Sequence, residues 1–220
     1  MGVSEGPELL ARGPWEPGQV RATWNEHPFE PAAQASAGAD AVLDSLRERG
    51  SPTHDGMSAR MASFEAGPAE LSFELEPARW SLRLVEGGAE GISALCVVRD
   101  ADGRWLAGRR ASWLASWPGR WALGAGGAVD VGESPAHTLG RELLEEWSVE
   151  PEKLSVEALV RLPSGLVLLV GLAQLARGAE VTIDPEHDAC AWWPADVAQW
   201  PNEADEPLRR MAALLATTSR

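Results

Sequence analysis

Three glutamates, Glu142, Glu145 and Glu146, stand at i, i+3 and i+4 in a stretch that otherwise reads as helix. At about 100° per residue they fall on one face of it. Carboxylates so close repel one another unless a cation neutralises them. A hard divalent ion such as Mg²⁺ takes oxygen ligands and tolerates the cluster. Arg141, four residues before Glu145, can hold that side chain in place. Glu133, just ahead of the helix, can reach back to the same site. The glycines before it let backbone approach a metal or a phosphate closely. The same run of residues also suits a solvated helix face with incidental salt bridges.

The helix that must carry these groups has a clear start. Ser134 fits an N-cap and Pro135 the first helical position, and the pattern runs to Trp147. Leu139 and Leu143 supply the apolar side that anchors it. Before it, residues 92–99 read as a buried strand, Asp100-Ala101-Asp102-Gly103 as a turn, and residues 104–109 as the returning partner. A loop with Trp113, Trp117 and Pro118 leads to a short strand at 121–123 and a glycine-rich segment at 124–132. After it, strands fit 156–162 and 165–173, with Pro163-Ser164 turning between them. Leu208, Met211, Leu214 and Leu215 mark a closing amphipathic helix. Mixed strands with a few helices imply an α/β fold, a sheet flanked by helices.

Upstream the signal is weaker. Residues 1–38 are rich in Pro, Gly and Ala but include Trp15, Trp24 and Phe29, so part of this stretch is expected to pack on the core. Residues 39–49 read as a helix, and 71–75 and 80–84 as two half-buried strands separated near Pro77. Gly87, Gly88 and Gly91 mark a boundary. The expected division is an accessory region over 1–88, partly irregular with one helix and a strand pair, and a second domain over 89–220.

Composition narrows the function. The chain has 220 residues with 19 Lys and Arg against 33 Asp and Glu, a net charge of −14. Such a surface repels a phosphate backbone, which excludes a general role in coating DNA or RNA. Any phosphate must be handled by local arginines or bound cations. Cys96 and Cys190 fit neither a zinc spacing nor a disulfide framework, which points to a reducing cytoplasm. No apolar stretch follows a basic start, and the apolar run at 166–173 falls far short of the roughly 20 residues that span a bilayer, so no membrane role is expected.

From Gly127 the order is Gly, five residues, Glu133, seven residues, then Arg141-Glu142-Leu143-Leu144-Glu145-Glu146-Trp147-Ser148-Val149. This resembles the Nudix box: Gly, five, Glu, seven, Arg-Glu-apolar-any-Glu-Glu-any-Gly-apolar. Every specified position over 127–149 matches except the last glycine, replaced by Ser148. Trp121-Ala122-Leu123 and Gly126-Gly127 resemble the strand and loop leading into the box. The resemblance implies a Nudix-type α/β/α sandwich around a mixed sheet over 89–220, preceded by an N-terminal strand-and-helix extension. It further implies hydrolysis of a nucleoside diphosphate linked to another moiety (a nucleotide sugar, dinucleotide or similar small metabolite) with Mg²⁺ or Mn²⁺. By position, Glu142, Glu145 and Glu146 resemble the metal ligands, Glu133 an outer or direct ligand, and Arg141 the residue that orients the glutamates. Gly127 resembles the donor of a backbone carbonyl to the metal. Many members of the family are homodimers.

The Ser148 departure implies a helix exit strained by roughly 1 kcal/mol, with the carboxylates untouched. For the general base, Glu142 is one candidate and Glu186, in the loop Asp184-Pro185-Glu186-His187-Asp188, another; a plain solvated loop acid suits Glu186 as well, and His187 is given no role. Arg109, Arg110 and Arg120 are candidate phosphate contacts, with Arg109-Arg110 favoured. Trp113 and Trp117 are candidates for stacking on a base or sugar, against a packing role. Two other functions fit the fold. A non-catalytic nucleotide sensor would be expected to lose box glutamates, and none is lost. An enzyme like isopentenyl diphosphate isomerase needs an acid–base cysteine, yet residues 121–129 hold none and Cys96 lies in an expected buried strand.

Overall fold

The computed structural model describes residues 6–51, 55–114 and 116–216. In chain order, the N-terminal region forms β1 (Glu8–Trp15), β2 (Val20–Trp24), α1 (Ala33–Glu48), β3 (Met57–Ala66) and β4 (Leu71–Arg79). The remainder forms β5 (Ile92–Arg99), β6 (Trp105–Arg110), β7 (Trp121–Leu123), β8 (Ala125–Ala128), α2 (Pro135–Trp147), β9 (Lys153–Arg161), β10 (Val167–Gln174), β11 (His187–Trp193) and α3 (Glu206–Ala216).

The large sheet is ordered β1-β9-β10-β5-β6-β11, with β7 paired to β6 and β8 to β5. It is mixed: β10 runs parallel to β5 from Val167↔Ile92 to Gln174↔Arg99, while β9 is antiparallel to β10 and β11 to β6. Strand alternation divides β5 between two layers. Ile92, Ala94, Cys96 and Val98 join the core containing Leu139, Leu143 and Trp147 of α2. Val97 faces the other layer, with Trp193 of β11, Trp200 and, from α3, Leu215. The expected α/β arrangement, a mixed sheet between helices, therefore forms. Among the described residues no helix is long and apolar enough to cross a membrane.

The N-terminal region contributes to both sheets. β1 extends the large sheet along β9, and β2, β4 and β3 make a separate three-stranded sheet. Bridges at Ser58↔Asp130 and Arg60↔Gly91 join that small sheet to the rest. Trp15 is buried and Trp24 packs on the main core, as the aromatic content of this stretch implies. The first helix begins earlier than the apolar pattern suggests. Its opening turns are built from alanines, of which Ala35 and Ala39 are buried with Leu82 but give almost no periodic signal.

Residues 80–84 form a 3-10 turn, not the expected strand. Ser81 and Leu82 are both buried in this turn, and Leu82 packs with Ala35 and Ala39 of α1. The Trp80 N–H donates to Gly56 O at 2.9 Å and the Ser81 N–H to Asp55 Oδ1 at 3.0 Å, both in the segment just before β3.

Candidate functional site

α2 delivers the acidic cluster. Pro135 opens the helix, Ser134 is extended as an N-cap must be, and its carbonyl accepts the N–H of His137 at 2.9 Å and of Thr138 at 3.1 Å. The Ser134 side chain itself makes no capping hydrogen bond. At the other end Ser148 is left-handed at φ 53°, with its N–H on Leu144 O, the strained exit expected of a non-glycine residue there. Trp147 is fully buried and its Nε1–H donates to Gly124 O at 3.1 Å, which ties the helix end to the glycine-rich segment.

Glu142 and Glu146 are buried, whereas the Glu145 side chain is exposed. Both buried carboxylates rest on β8. The Gly126 N–H donates to Glu146 Oε1 at 3.0 Å, and a β-carbon on Gly127 would lie 2.2 Å from Glu142 Oε1. Burial pushes the Glu146 carboxyl up to about 9; the Gly126 hydrogen bond opposes this, and the charges of Glu142 and Glu186 add to it. Burial likewise pushes Glu142 up to about 7, with Arg141 pulling it down and Glu145 pushing it further up.

Arg141 binds the cluster together. Its Nη1 lies 2.7 Å from Glu142 Oε1 and 2.9 Å from Glu145 Oε2, and its Nη2 donates to Ala128 O at 3.2 Å. Glu133 holds Arg141 from behind: Glu133 Oε1 accepts from Arg141 Nε at 3.1 Å, while Oε2 accepts from Arg141 Nη2 at 3.1 Å and from Thr138 Oγ1 at 2.7 Å. Burial alone would raise the Glu133 carboxyl, but the hydrogen bonds from Arg141 and Thr138 bring it below its usual value. Glu133 is not among the residues lining the adjoining cleft.

That cleft has a volume of about 1100 Å³ and is lined by Glu142, Glu145, Glu146 and Glu186 together with Gly126 and Gly127. Arg110, Trp113 and Trp117 also line it, and both tryptophans are exposed. Arg109 and Arg120 do not line it. Arg109 Nε pairs with Asp188 at 2.6 Å, and Arg120 pairs with Asp205. Burial raises the Glu186 carboxyl, with Arg110 opposing and Asp184 adding to the rise.

Two residues given no role by the sequence stand in this site. His187 is buried, its Nε2 is 3.7 Å from Glu146 Oε2, its Nδ1 is 3.3 Å from Asp184 Oδ1, and its ring lies on Trp147 at 4.7 Å between centroids. Burial lowers its pKa, although Asp184 opposes the shift. Arg83, from the 3-10 turn before β5, also lines the cleft. Neither had a local signal: His187 arrives through the pairing of β11 with β6, and Arg83 through the docking of the N-terminal region. Cys96 is fully buried beside Glu146, and burial pushes its thiol up to about 12, unsuited to acid–base chemistry at pH 7.

Among the described residues no three acidic, histidine or cysteine side chains are arranged as they stand to hold a metal ion. Arg141 lies on oxygens of both Glu142 and Glu145. The donor set nevertheless fits a hard divalent cation. It is all oxygen, two carboxylates are buried without enough positive charge to balance them, and the buried Glu146 Oε2 has no hydrogen-bond partner.

A family model described as the NUDIX domain matches residues 89–215. No curated protein matches the chain. Among solved structures, the MutT protein of Methanosarcina mazei Go1 is 20% identical with a TM-score of 0.45, covering 59% of this chain and 96% of that one. The NUDIX domain of Shewanella oneidensis NrtR, complexed with ADP ribose, is 19% identical at a TM-score of 0.47, covering 60% and 90%. A C. elegans Ap4A hydrolase is 22% identical at 0.46, covering 58% and 95%.

Proposed function

Because the chain belongs to the Nudix family, we propose that it is a divalent-metal-dependent hydrolase that cleaves the diphosphate linkage of a nucleoside diphosphate joined to another moiety, such as a sugar or a second nucleotide. The observation that carries this reading is the buried pair Glu142 and Glu146, seated on glycine backbone at a cleft, with Glu146 Oε2 unpartnered. Two buried carboxylates that share little more than Arg141 as a cation are costly to ionise, and a cation at the cleft supplies what they lack.

Glu142, Glu145 and Glu146 would hold Mg²⁺ or Mn²⁺, with the backbone at Gly127 alongside. A bound divalent ion neutralises charge on the diphosphate and acidifies a coordinated water. The protein's own groups do the rest. Arg141 keeps Glu142 and Glu145 in place, and Glu133 keeps Arg141 in place. Glu186 lines the cleft, forms no ion pair among the described residues and has a raised pKa, so its carboxylate suits the role of general base better than Glu142, which is held by Arg141. As water adds to one phosphorus, Glu186 takes its proton and the bridging P–O bond breaks, leaving two phosphate monoesters. Arg110 supplies a guanidinium for phosphate, and the exposed faces of Trp113 and Trp117 suit a base. Cys96 and Cys190 are both free, which suits a reducing compartment, and we place the enzyme in the cytoplasm.

The test is incubation with Mg²⁺ and a panel of nucleotide sugars, dinucleoside polyphosphates, NADH, ADP-ribose, CoA and nucleoside triphosphates, with products identified by mass. Expected is a nucleoside monophosphate or phosphorylated partner from one class, lost on removal of the metal and in Glu146→Gln. No turnover across the panel with either Mg²⁺ or Mn²⁺ would overturn the assignment.

A further inference from the structure

The cationic side of the cleft draws on two parts of the chain. Arg110 ends β6, inside the segment matched by the family, whereas Arg83 comes from the turn at residues 80–84, outside it. The position of Arg83 is well defined. Its guanidinium lies 4.7 Å from the centroid of the Trp80 ring, and its Nη1 donates to Ser93 Oγ at 3.3 Å. Its stem packs on Gly91, where a β-carbon would come within 3.2 Å of Arg83 Cβ. Arg110 Nε is held by Ser116 O at 3.0 Å.

Neither guanidinium forms an ion pair with a carboxylate among the described residues, although the chain carries 33 acidic side chains against 19 basic ones. Neighbouring arginines show the contrast: Arg109, Arg120 and Arg141 are each paired with Asp or Glu. Arg83 is half-buried, and among the described residues its Nε and Nη2 have no hydrogen-bond partner. Burial, followed by the charge of Arg110, pushes its pKa down to about 10, and both arginines line the cleft. Arg110 feels the carboxylates of Glu186 and Glu146 but touches neither, so both partly desolvated guanidiniums keep donors free for a ligand. An anion with several oxygens, accepting from both forks, satisfies them.

We propose that Arg83, brought to the cleft by the N-terminal region, forms with Arg110 a clamp for a phosphate group of the substrate. Residues 1–88 would then help to decide what the site accepts. The proposal rests on the cleft being the substrate site, and its test is independent of turnover.

Binding of inorganic pyrophosphate to the full chain is measured by titration calorimetry without divalent ions, for the native protein and for Arg83→Gln, Arg83→Lys and Arg110→Gln. Loss of one charge-assisted contact should weaken binding about 10- to 100-fold in Arg83→Gln and in Arg110→Gln. Arg83→Lys, which keeps the charge but not the planar fork, should fall between that variant and the native protein. Thermal melts establish that each variant is folded; if Arg83→Gln is not, Arg83→Lys decides. Native affinity in the folded Arg83 variant, or no pyrophosphate binding by the native protein, would overturn the clamp. Glu146→Gln separates this from the hydrolase reading. Native turnover in that variant would remove the metal assignment and leave the pyrophosphate titration to stand on Arg83 and Arg110.

Discussion

The Glu142 carboxylate lies so close to the backbone of Gly127 that a β-carbon there would sit 2.2 Å from Oε1 and 2.4 Å from Cδ. Glycine is needed at this position for the space it leaves, since the carboxylate occupies the volume that any other side chain would start from. Gly127→Ala should therefore displace Glu142, the end of a flexible side chain, while the fold adapts. The expected result is a fall of about 10²-fold in kcat/KM, as for misplacement of a reacting group by about 1 Å, with a much smaller change in melting temperature. Steady-state kinetics beside a thermal melt checks it, and a variant with native kcat/KM would show that Glu142 need not stay where it lies.

Glu142, Glu145 and Glu146 lie on one helix, so their spacing alone predicts a shared face, and Ser134-Pro135 and Ser148 bound that helix correctly at both ends. Residues brought in by strand pairing were not legible. Arg109 and Arg110 are adjacent on β6, and adjacent strand residues point to opposite sides, so the choice between them depends on register against β11. Arg110 takes the cleft side and Arg109 pairs with Asp188. His187 reaches Glu146 by the same pairing, packed so tightly on β6 that a β-carbon on Gly108 would come within 2.3 Å of its ring. Trp80, Leu82 and Leu84 alternate as a strand would, yet hydrogen bonds to Asp55 and Gly56, distant in sequence, make them a turn.

Glu133 and Glu146 differ in what they touch, and their variants should differ accordingly. Glu146 faces the cleft with one oxygen unpartnered, whereas Glu133 spends both oxygens on Arg141 and Thr138. Glu146→Gln should lower kcat about 10²- to 10³-fold, the size expected when a group facing the developing charge is lost. Glu133→Gln should be milder, about 10-fold, through a loosened Arg141 and weaker Mg²⁺ affinity. Mg²⁺ titrations of activity distinguish them: excess metal should restore much of the Glu133→Gln loss and little of the other. Equal losses that excess metal does not relieve would contradict the positioning role of Glu133.

Ser148 leaves α2 at φ 53°, in the left-handed region where a β-carbon is strained. It is exposed, and among the described residues its side chain makes no hydrogen bond that would compensate. Ser148→Gly should stabilise the protein by about 1 kcal/mol, raising the melting temperature by about 2–4 °C for a chain of this size. Activity should not change, because the glutamates precede the cap. An unchanged or lower melting temperature would mean that the greater freedom of glycine in the unfolded chain outweighs the strain.

The pKa shifts give stability a pH dependence of definite sign. Folding raises Glu142 to about 7 and Glu146 to about 9, from 4.5 for an ordinary glutamate, with burial the first cause in both. Between 4.5 and those values the folded protein holds more protons than the unfolded chain, so stability falls as pH rises. Without metal the melting temperature should thus be highest near the ordinary glutamate range and decline through neutrality towards about pH 9. A divalent cation binds the ionised carboxylates and competes with their protons, so it reverses this trend. The rise in melting temperature on adding Mg²⁺ should be small near pH 5 and grow steadily with pH. Glu142→Gln and Glu146→Gln combined should flatten both the decline and the response to Mg²⁺, since amides do not titrate. A melting temperature that is level in chelator across this range, or a Mg²⁺ effect equal at its two ends, would mean that these buried carboxylates are not where cation and proton compete.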